Sequence, residues 1–383
     1  MKKYLGRYGY PDLFFFPKGE TPFLIFIVLA FVASMFSVQV PGVAMWLGFF
    51  FAAYAAIAND SIQTIGTFIA SNQDKRWWVL WIFLGGIFLF TVAYSFYNYD
   101  GDVSYGRLMA KGFEESPTTF HYLQVAAPVF LLILTRLKMP VSTTFILLTS
   151  FAATPAAVGN VLAKSMSGYI LAFVIGFTAF MLLARVTKKY FVGKARAWWT
   201  VAQWLTSGTL WSVWLMQDAA NIAVYLPRSL SIWQFVAFAG VIVAGLGLLL
   251  YYKGGRIQEI VTEKSVVTDV RFATLIDLIY CILLFYFKMH SKVPMSTTWV
   301  FIGLLGGREI GMAIMKTSEN KMKRVFGMII RDFGFAMIGL LISIAIAVGV
   351  NDNLTVDSMI HDLPSQFVEG IQKFFSKLVG GGG

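Results

Sequence analysis

The chain has 383 residues, 57% hydrophobic and only 13% charged, with a mean hydropathy of +0.69. A soluble domain carries about 25% charged residues, so a soluble enzyme, a disordered chain and a coiled coil are excluded and lipid is the expected solvent. The formal charge of +11 then reads as loop charge that orients helices, not as a nucleic-acid footprint.

The N-terminal stretch carries Lys2, Lys3 and Arg7 and lacks the pattern of a cleavable signal. Apolar runs follow at 22–40 and 41–58, and a crossing takes about 20 such residues. The second run passes into AIANDSIQTIGTF at 56–68, which sets Asn59, Asp60 and Gln63 in an apolar segment. Lys75 and Arg76 precede the run 77–97, whose Trp77–Trp78 start fits an interfacial belt. The loop 98–120 is long and mixed in charge. The run 121–137 then leads through Arg136 into KMPVSTTF at 138–145, and runs at 141–162 and 168–186 end in the basic loop RVTKKYFVGKAR at 185–196.

The second half opens with the run 197–216, which passes into LMQDAANIAVYLPR at 215–228 and so carries Gln217, Asp218 and Asn221. Runs at 230–252 and 272–289 flank a mixed loop, 253–271. KVPMSTTW at 292–299 then enters the run 296–307, followed by the basic KTSENKMKR at 316–324 and a last run at 325–350. Residues 351–383 form an amphipathic tail. The alternating segments of about ten residues that mark a β-barrel are missing. Cys281, the sole cysteine, lies in an apolar run and reads as a buried, inert thiol. The basic loops place the N-terminus, 185–196 and 316–324 on the cytoplasmic side. The loop 98–120 falls outside, together with Lys288, His290 and Lys292, which go against the rule.

Two polar motifs therefore occur twice. Asp60 and Asp218 stand 158 positions apart, and Ser142 and Ser296 stand 154 apart; GFTAFMLL at 176–183 matches GFAMIGLL at 334–341 at 158. Three pairs in one order at nearly one spacing argue for duplication. The loop charges send the two copies through the membrane in opposite directions, an arrangement of secondary transporters whose sites lie near the midplane. The expected fold is an all-α polytopic membrane protein of about 10–12 transmembrane or re-entrant helices in two inverted-topology repeats. Residues 1–40 form an N-terminal extension with an extra helix, 41–190 the first repeat, 191–350 the second and 351–383 the tail.

The motifs suggest a chemistry. A carboxylate in the bilayer is costly and needs a cation or a polar cavity. Asp60 with Asn59 and Gln63, and Asp218 with Gln217 and Asn221, make a hard-oxygen set suited to Na⁺, with proton binding as the competing role and interhelical hydrogen bonding as the plain structural alternative. Ser142, Thr143 and Thr144, and Ser296, Thr297 and Thr298, each follow a proline as a helix start does. Free N–H groups and hydroxyls there suit a tetrahedral oxyanion, and an ordinary helix cap is the structural alternative. Neither hydroxyl motif contains Lys or Arg, so anion binding is expected to rest on N–H groups, hydroxyls and bound cations. Arg308 with Glu309, and Arg331 with Asp332, read as internal ion pairs or interface anchors, and Asp277 as a residue lining the path. The glycines of GLLGGREIG at 303–311 read as close helix packing.

At these motifs the chain resembles the inorganic phosphate transporter family, which carries two Asn-Asp motifs and two Pro-Val-Ser-Thr-Thr-His motifs. Asn59, Asp60, Gly66 and Thr67 match the first, Asp218, Ala220 and Asn221 its second copy, and Pro140 to Thr144 and Pro294 to Thr298 the hydroxyl motifs, with Met295 for Val. Gln63 and Gln217 stand where the family has Asn, and Phe145 and Trp299 where it has His. The resemblance implies a cation-coupled symporter of inorganic phosphate, with Ser142, Thr143, Thr144, Ser296, Thr297, Thr298, Gln63 and Asn221 on the substrate and Asn59, Asp60, Gln217 and Asp218 on the coupling ion. A sulfate or other oxyanion permease, or a passive anion channel, is the alternative. No enzymatic activity and no cofactor are expected beyond Na⁺ or H⁺ as the coupling ion. The expected setting is the inner or plasma membrane, with the lipid bilayer, a small inorganic oxyanion and Na⁺ or H⁺ as partners, a homodimer as an option, and no nucleic acid.

Overall fold

The computed structural model describes residues 20–109, 113–137, 139, 141–152, 154–252, 269–290, 295–316, 322–351 and 354–379. Pro140, Pro294, Lys138, Lys292 and the three basic residues at the N-terminus lie outside them. Regular structure among the described residues is helical throughout. The helices are α1 (Glu20–Ser37), α2 (Pro41–Ala58), α3 (Asp60–Ser71), α4 (Trp77–Asn98), α5 (Tyr122–Arg136), α6 (Pro155–Tyr190), α7 (Ala197–Ala223), α8 (Ile232–Tyr251), α9 (Val270–His290), α10 (Thr297–Ile314), α11 (Met322–Val350) and α12 (Val356–Val379).

Six of them, α2, α4, α6, α8, α9 and α11, are long and apolar enough to cross a membrane. Their outer faces carry side chains that water would drive inward: Trp233 is 80% exposed and Phe90 75%. The chain is thus an all-α, multi-pass membrane protein. Helix α7 packs along α9 and also against α2, α3 and α4; α4 pairs with α8, and α12 lies on α6.

Local chemistry explains the helix starts. Pro41 and Pro155 begin α2 and α6, where a missing N–H costs nothing. Thr154 caps the amide of Ala157, and Ser231 caps α8 with Gln234 bonding back. The tightest seam joins α6 to α10: a Cβ on Gly307 would stand 2.0 Å from the carbonyl oxygen of Phe173, and one on Gly303 2.4 Å from that of Tyr169. The 303–311 glycines therefore do let two backbones touch.

Three features depart from the run pattern. The polar stretch after Asn59, counted as motif and not as helix, forms α3. Asn59 takes φ −110° and ψ −66° while its amide still bonds Ala55, so the helix bends there without ending. The runs 141–162 and 168–186 are not two helices, because Pro155 starts the single 36-residue α6 inside the first of them. The first hydroxyl motif opens no α-helix. Thr144–Leu148 forms one π-turn and Thr149–Phe151 one 3₁₀ turn, with the carbonyl of Phe145 taken by the hydroxyls of Thr149 and Ser343.

Candidate functional site

The four motifs meet in one place. Asn59 sits at the α2–α3 bend, with Asp60 and Gln63 on the first turn of α3. Gln217, Asp218 and Asn221 occupy the last turns of α7. Ser142, Thr143 and Thr144 lie on the π-turn and the residues before it, and Ser296, Thr297 and Thr298 start α10. All twelve are at most 4% exposed.

Hydrogen bonds interleave the motifs. Asn59 Nδ2 donates to Asp60 Oδ1 at 2.8 Å and to the Val141 carbonyl at 2.6 Å, and Gln63 Nε2 donates to Asn59 Oδ1 at 3.2 Å. The Thr143 hydroxyl donates to Asp60 Oδ2. Asn221 Nδ2 reaches Asp218 Oδ1 at 2.6 Å, Thr144 Oγ1 at 3.0 Å and Thr143 Oγ1 at 3.1 Å. Thr144 Oγ1 donates to the Met295 carbonyl at 3.1 Å, which ties the two hydroxyl motifs together. Ser296 caps α10 through the Trp299 amide at 3.2 Å and gives its own amide to Ser165 Oγ at 2.8 Å. The rings of Phe145 and Trp299, at the two positions where the resembled family has His, touch with centroids 5.0 Å apart.

The two carboxylates are linked through Thr143, which donates to Asp60, and Asn221, which donates to both Thr143 and Asp218. Within the two carboxylate motifs, four buried oxygens accept no hydrogen bond: Gln63 Oε1, Gln217 Oε1, Asp218 Oδ2 and Asn221 Oδ1. An unpaired buried acceptor costs roughly 1–3 kcal/mol. All four are hard oxygens, the atom type a small cation takes. Gln217 is held in place by its amide nitrogen on the Leu284 carbonyl at 2.7 Å.

Sequence reasoning missed two groups. Arg107, on the loop after α4, is 2% exposed and donates through Nε to the Met216 carbonyl at 3.0 Å, which puts it beside Asp218. Lys164, within α6 and 7% exposed, lies next to Arg107. No Lys or Arg lies inside the hydroxyl motifs, and Arg107 bonds the carbonyl before Gln217 while Lys164 precedes the Ser165 that accepts from the Ser296 amide. A lone lysine in an apolar helix is a functional signal by default and would have pointed to Lys164. Nothing local marks Arg107.

The remaining polar residues sort themselves. Asp277, on α9, is fully buried and accepts from Thr67 Oγ1 at 2.6 Å and from the Ser207 hydroxyl, one turn before Tyr280, whose hydroxyl donates to the Thr297 carbonyl at 3.0 Å. Arg308 and Glu309 pair with each other at 2.7 Å. Arg331 is exposed and Asp332 buried on α11. No protein-family model matches the chain, and no curated protein or solved structure matches it either.

Proposed function

We propose that the chain is a secondary active transporter that moves inorganic phosphate, or a similar tetrahedral oxyanion, across a membrane in symport with Na⁺ or H⁺. The observation that carries this reading is the burial of four motif copies in one site with four unpaired hard oxygens and two neighbouring cations. Such a site offers separate charges to a cation and to an anion. The motif residues keep the roles their chemistry suggests: Asp60, Asp218, Asn59 and Gln217 on the coupling ion, and the hydroxyls with Gln63 and Asn221 on the anion.

The same reading accounts for the duplication. Helices α2–α3, α4, α5 and α6 correspond in order to α7, α8, α9 and α11, with the first π-turn matching α10, and inverted repeats would bring both carboxylate motifs to a shared midplane. Helix α5 has 15 residues, about 22 Å at 1.5 Å per residue. That is short of a bilayer core and suits the arm of a re-entrant hairpin. The N-terminus is placed on the cytoplasmic side by the basic loops.

Proteoliposome uptake tests this. Accumulation of labelled phosphate or sulfate above its external concentration, only under an imposed Na⁺ or H⁺ gradient, is the expected result. Equilibration without accumulation would make the protein a passive channel, and no uptake of any oxyanion would end the reading.

A further inference from the structure

We propose that Asp277, held between Thr67 and Ser207, is a proton-binding site separate from the four motifs, set between an open cavity and the central site, and that the H⁺ it carries is a coupling ion. What that proton drives rests on the transport reading; the site itself does not.

Asp277 is a carboxyl group without a counter-charge on the helices that hold it. It sits on α9, one of the membrane-long apolar helices, and is 0% exposed. Its partners are two hydroxyls, Thr67 Oγ1 from α3 at 2.6 Å on Oδ1 and Ser207 Oγ from α7 on Oδ2. Neither α3 nor α7 contains a Lys or Arg, and their only charged residues are Asp60 and Asp218. On α9 itself, Arg271 bonds Asp269 at 2.6 Å, Tyr280 and Cys281 are the nearest titratable neighbours, and Lys288 and His290 lie three turns on. From α10, Arg308 pairs with Glu309 at 2.7 Å. Helix α6 runs antiparallel to α9, with Phe191 just past its end on Phe272 and Gly168 beside Phe287. Lys164 thus lies beyond Phe287, itself about 15 Å along α9 from Asp277, and Arg185, Lys188 and Lys189 are exposed.

A buried charge that nothing offsets is costly, and intramembrane carboxyls in that position mark proton pathways. The choice of two hydroxyls fits such a role. A hydroxyl both donates and accepts. Both donate to the carboxylate; once a proton is bound, the new carboxyl O–H donates to one of them while the other still donates to the carbonyl oxygen. Charged and neutral forms are satisfied without moving a heavy atom, whereas a Lys or Arg would satisfy the charged form alone. A metal cation is served less well. Hard cations gather about six oxygens, and here the carboxylate and two hydroxyls supply four. The adjoining Ala273 and Ile276 are apolar, and the Tyr280 hydroxyl is engaged with the Thr297 carbonyl.

A polar file leads to the site from water. Thr67 stands four residues before Ser71 on α3, about 6 Å of rise, and Ser207 four after Gln203 on α7. Gln203 Nε2 donates to the Ser71 hydroxyl, and Asn72 Nδ2 donates to Gln203 Oε1 at 2.9 Å. Ser71 and Asn72 line an open cavity of about 450 Å³, with Asp74, Lys75, Lys194 and Asp269 around it. That space admits water, whose share of liquid volume is about 30 Å³. In the other direction Thr67 is seven residues from Asp60, about 10 Å along α3. A proton lost by water in the cavity forms the Asp277 O–H bond, and the same bond breaks when the proton returns to water on the opposite side; nothing is oxidised or reduced.

Infrared spectroscopy of the purified full-length protein reads the proton directly, because a protonated carboxyl has a C=O band that a carboxylate lacks. The expected result is a band that grows as pH falls, disappears as pH rises, shifts in D₂O and is missing from D277N, whose amide keeps one acceptor and one donor for the two hydroxyls. T67V and S207A each remove one hydrogen bond and are expected to move the band to higher frequency, so they report even where D277N fails to fold. In proteoliposomes with a trapped pH dye, D277N is expected to carry one H⁺ fewer per phosphate than wild type. A band that is missing from wild type at every pH, that pH never changes, or that neither hydroxyl variant moves would overturn the proton site. A band that Na⁺ removes at fixed pH would overturn it in favour of a Na⁺ site, and an unchanged H⁺ to phosphate ratio in D277N would overturn its role in coupling. A titrating Asp277 band in a protein that takes up no oxyanion would uphold the proton site and end the transport reading alone.

Discussion

The hydroxyl of Thr143 donates to the carboxylate of Asp60, joining a hydroxyl motif to a carboxylate motif 83 residues away. The same oxygen accepts from Asn221, which also holds Asp218. Groups read from the sequence as anion ligands and groups read as cation ligands thus share hydrogen bonds, and a change in one set reaches the other.

Thr143→Val is expected to weaken both ligands. It removes the hydroxyl that donates to Asp60 and that the transport reading offers to the anion; a hydrogen bond to a charged group is worth roughly 1.5–3 kcal/mol, so a bond lost to the anion lowers its affinity about 10- to 100-fold. The carboxylate of Asp60 also loses its orientation, so Na⁺-dependent thermal stabilisation falls too. Titration of both ions reads this out, and wild-type values for the two would reduce Thr143 to a packing residue.

Asp60→Asn and Asp218→Asn are each expected to abolish gradient-driven uptake, because an amide does not neutralise a bound cation. Each Asn variant is expected to gain little thermal stability when Na⁺ is added, where wild type gains. A variant with unchanged Na⁺ response would return that Asp to a structural role.

Gly307→Ala is expected to destabilise by about 1–3 kcal/mol, the usual cost of overpacking. Its Cβ would meet the Phe173 carbonyl at 2.0 Å and the Phe177 amide at 2.7 Å, both backbone atoms of α6. Gly327→Ala on α11 meets nothing within 4 Å and is expected to stabilise by up to about 1 kcal/mol through helix propensity. Melting temperatures in detergent that move in the same direction would refute the α6–α10 seam.

Asp102→Ala is expected to loosen the Arg107 loop while leaving the helices intact. Three donors to one carboxylate are lost together, a local cost of at least about 2 kcal/mol. Hydrogen exchange at the amides of Gly106 and Arg107 is the direct measure. Protection equal to wild type would show that the loop is held by its neighbours instead.

The membrane class, most of the helices and all twelve motif residues are legible in the sequence, because hydropathy, proline caps and polar interruptions are local properties of a short window. Pairing the motif copies needed only their spacing. Tertiary structure decided what such a window does not contain. Thr67 meets Asp277 across 210 residues, and Arg107 reaches the Met216 carbonyl across 109, and no local preference encodes either contact. The π-turn after Thr143 and the unbroken α6 are of the same kind. Ser343 on the distant α11 bonds the Phe145 carbonyl, and Lys164 stays within the unbroken α6, one residue before the Ser165 that accepts from the Ser296 amide. Burial of charge is favourable only as a sum over groups from several helices, so the identity of the polar residues is written locally and their partnership only in the packed fold.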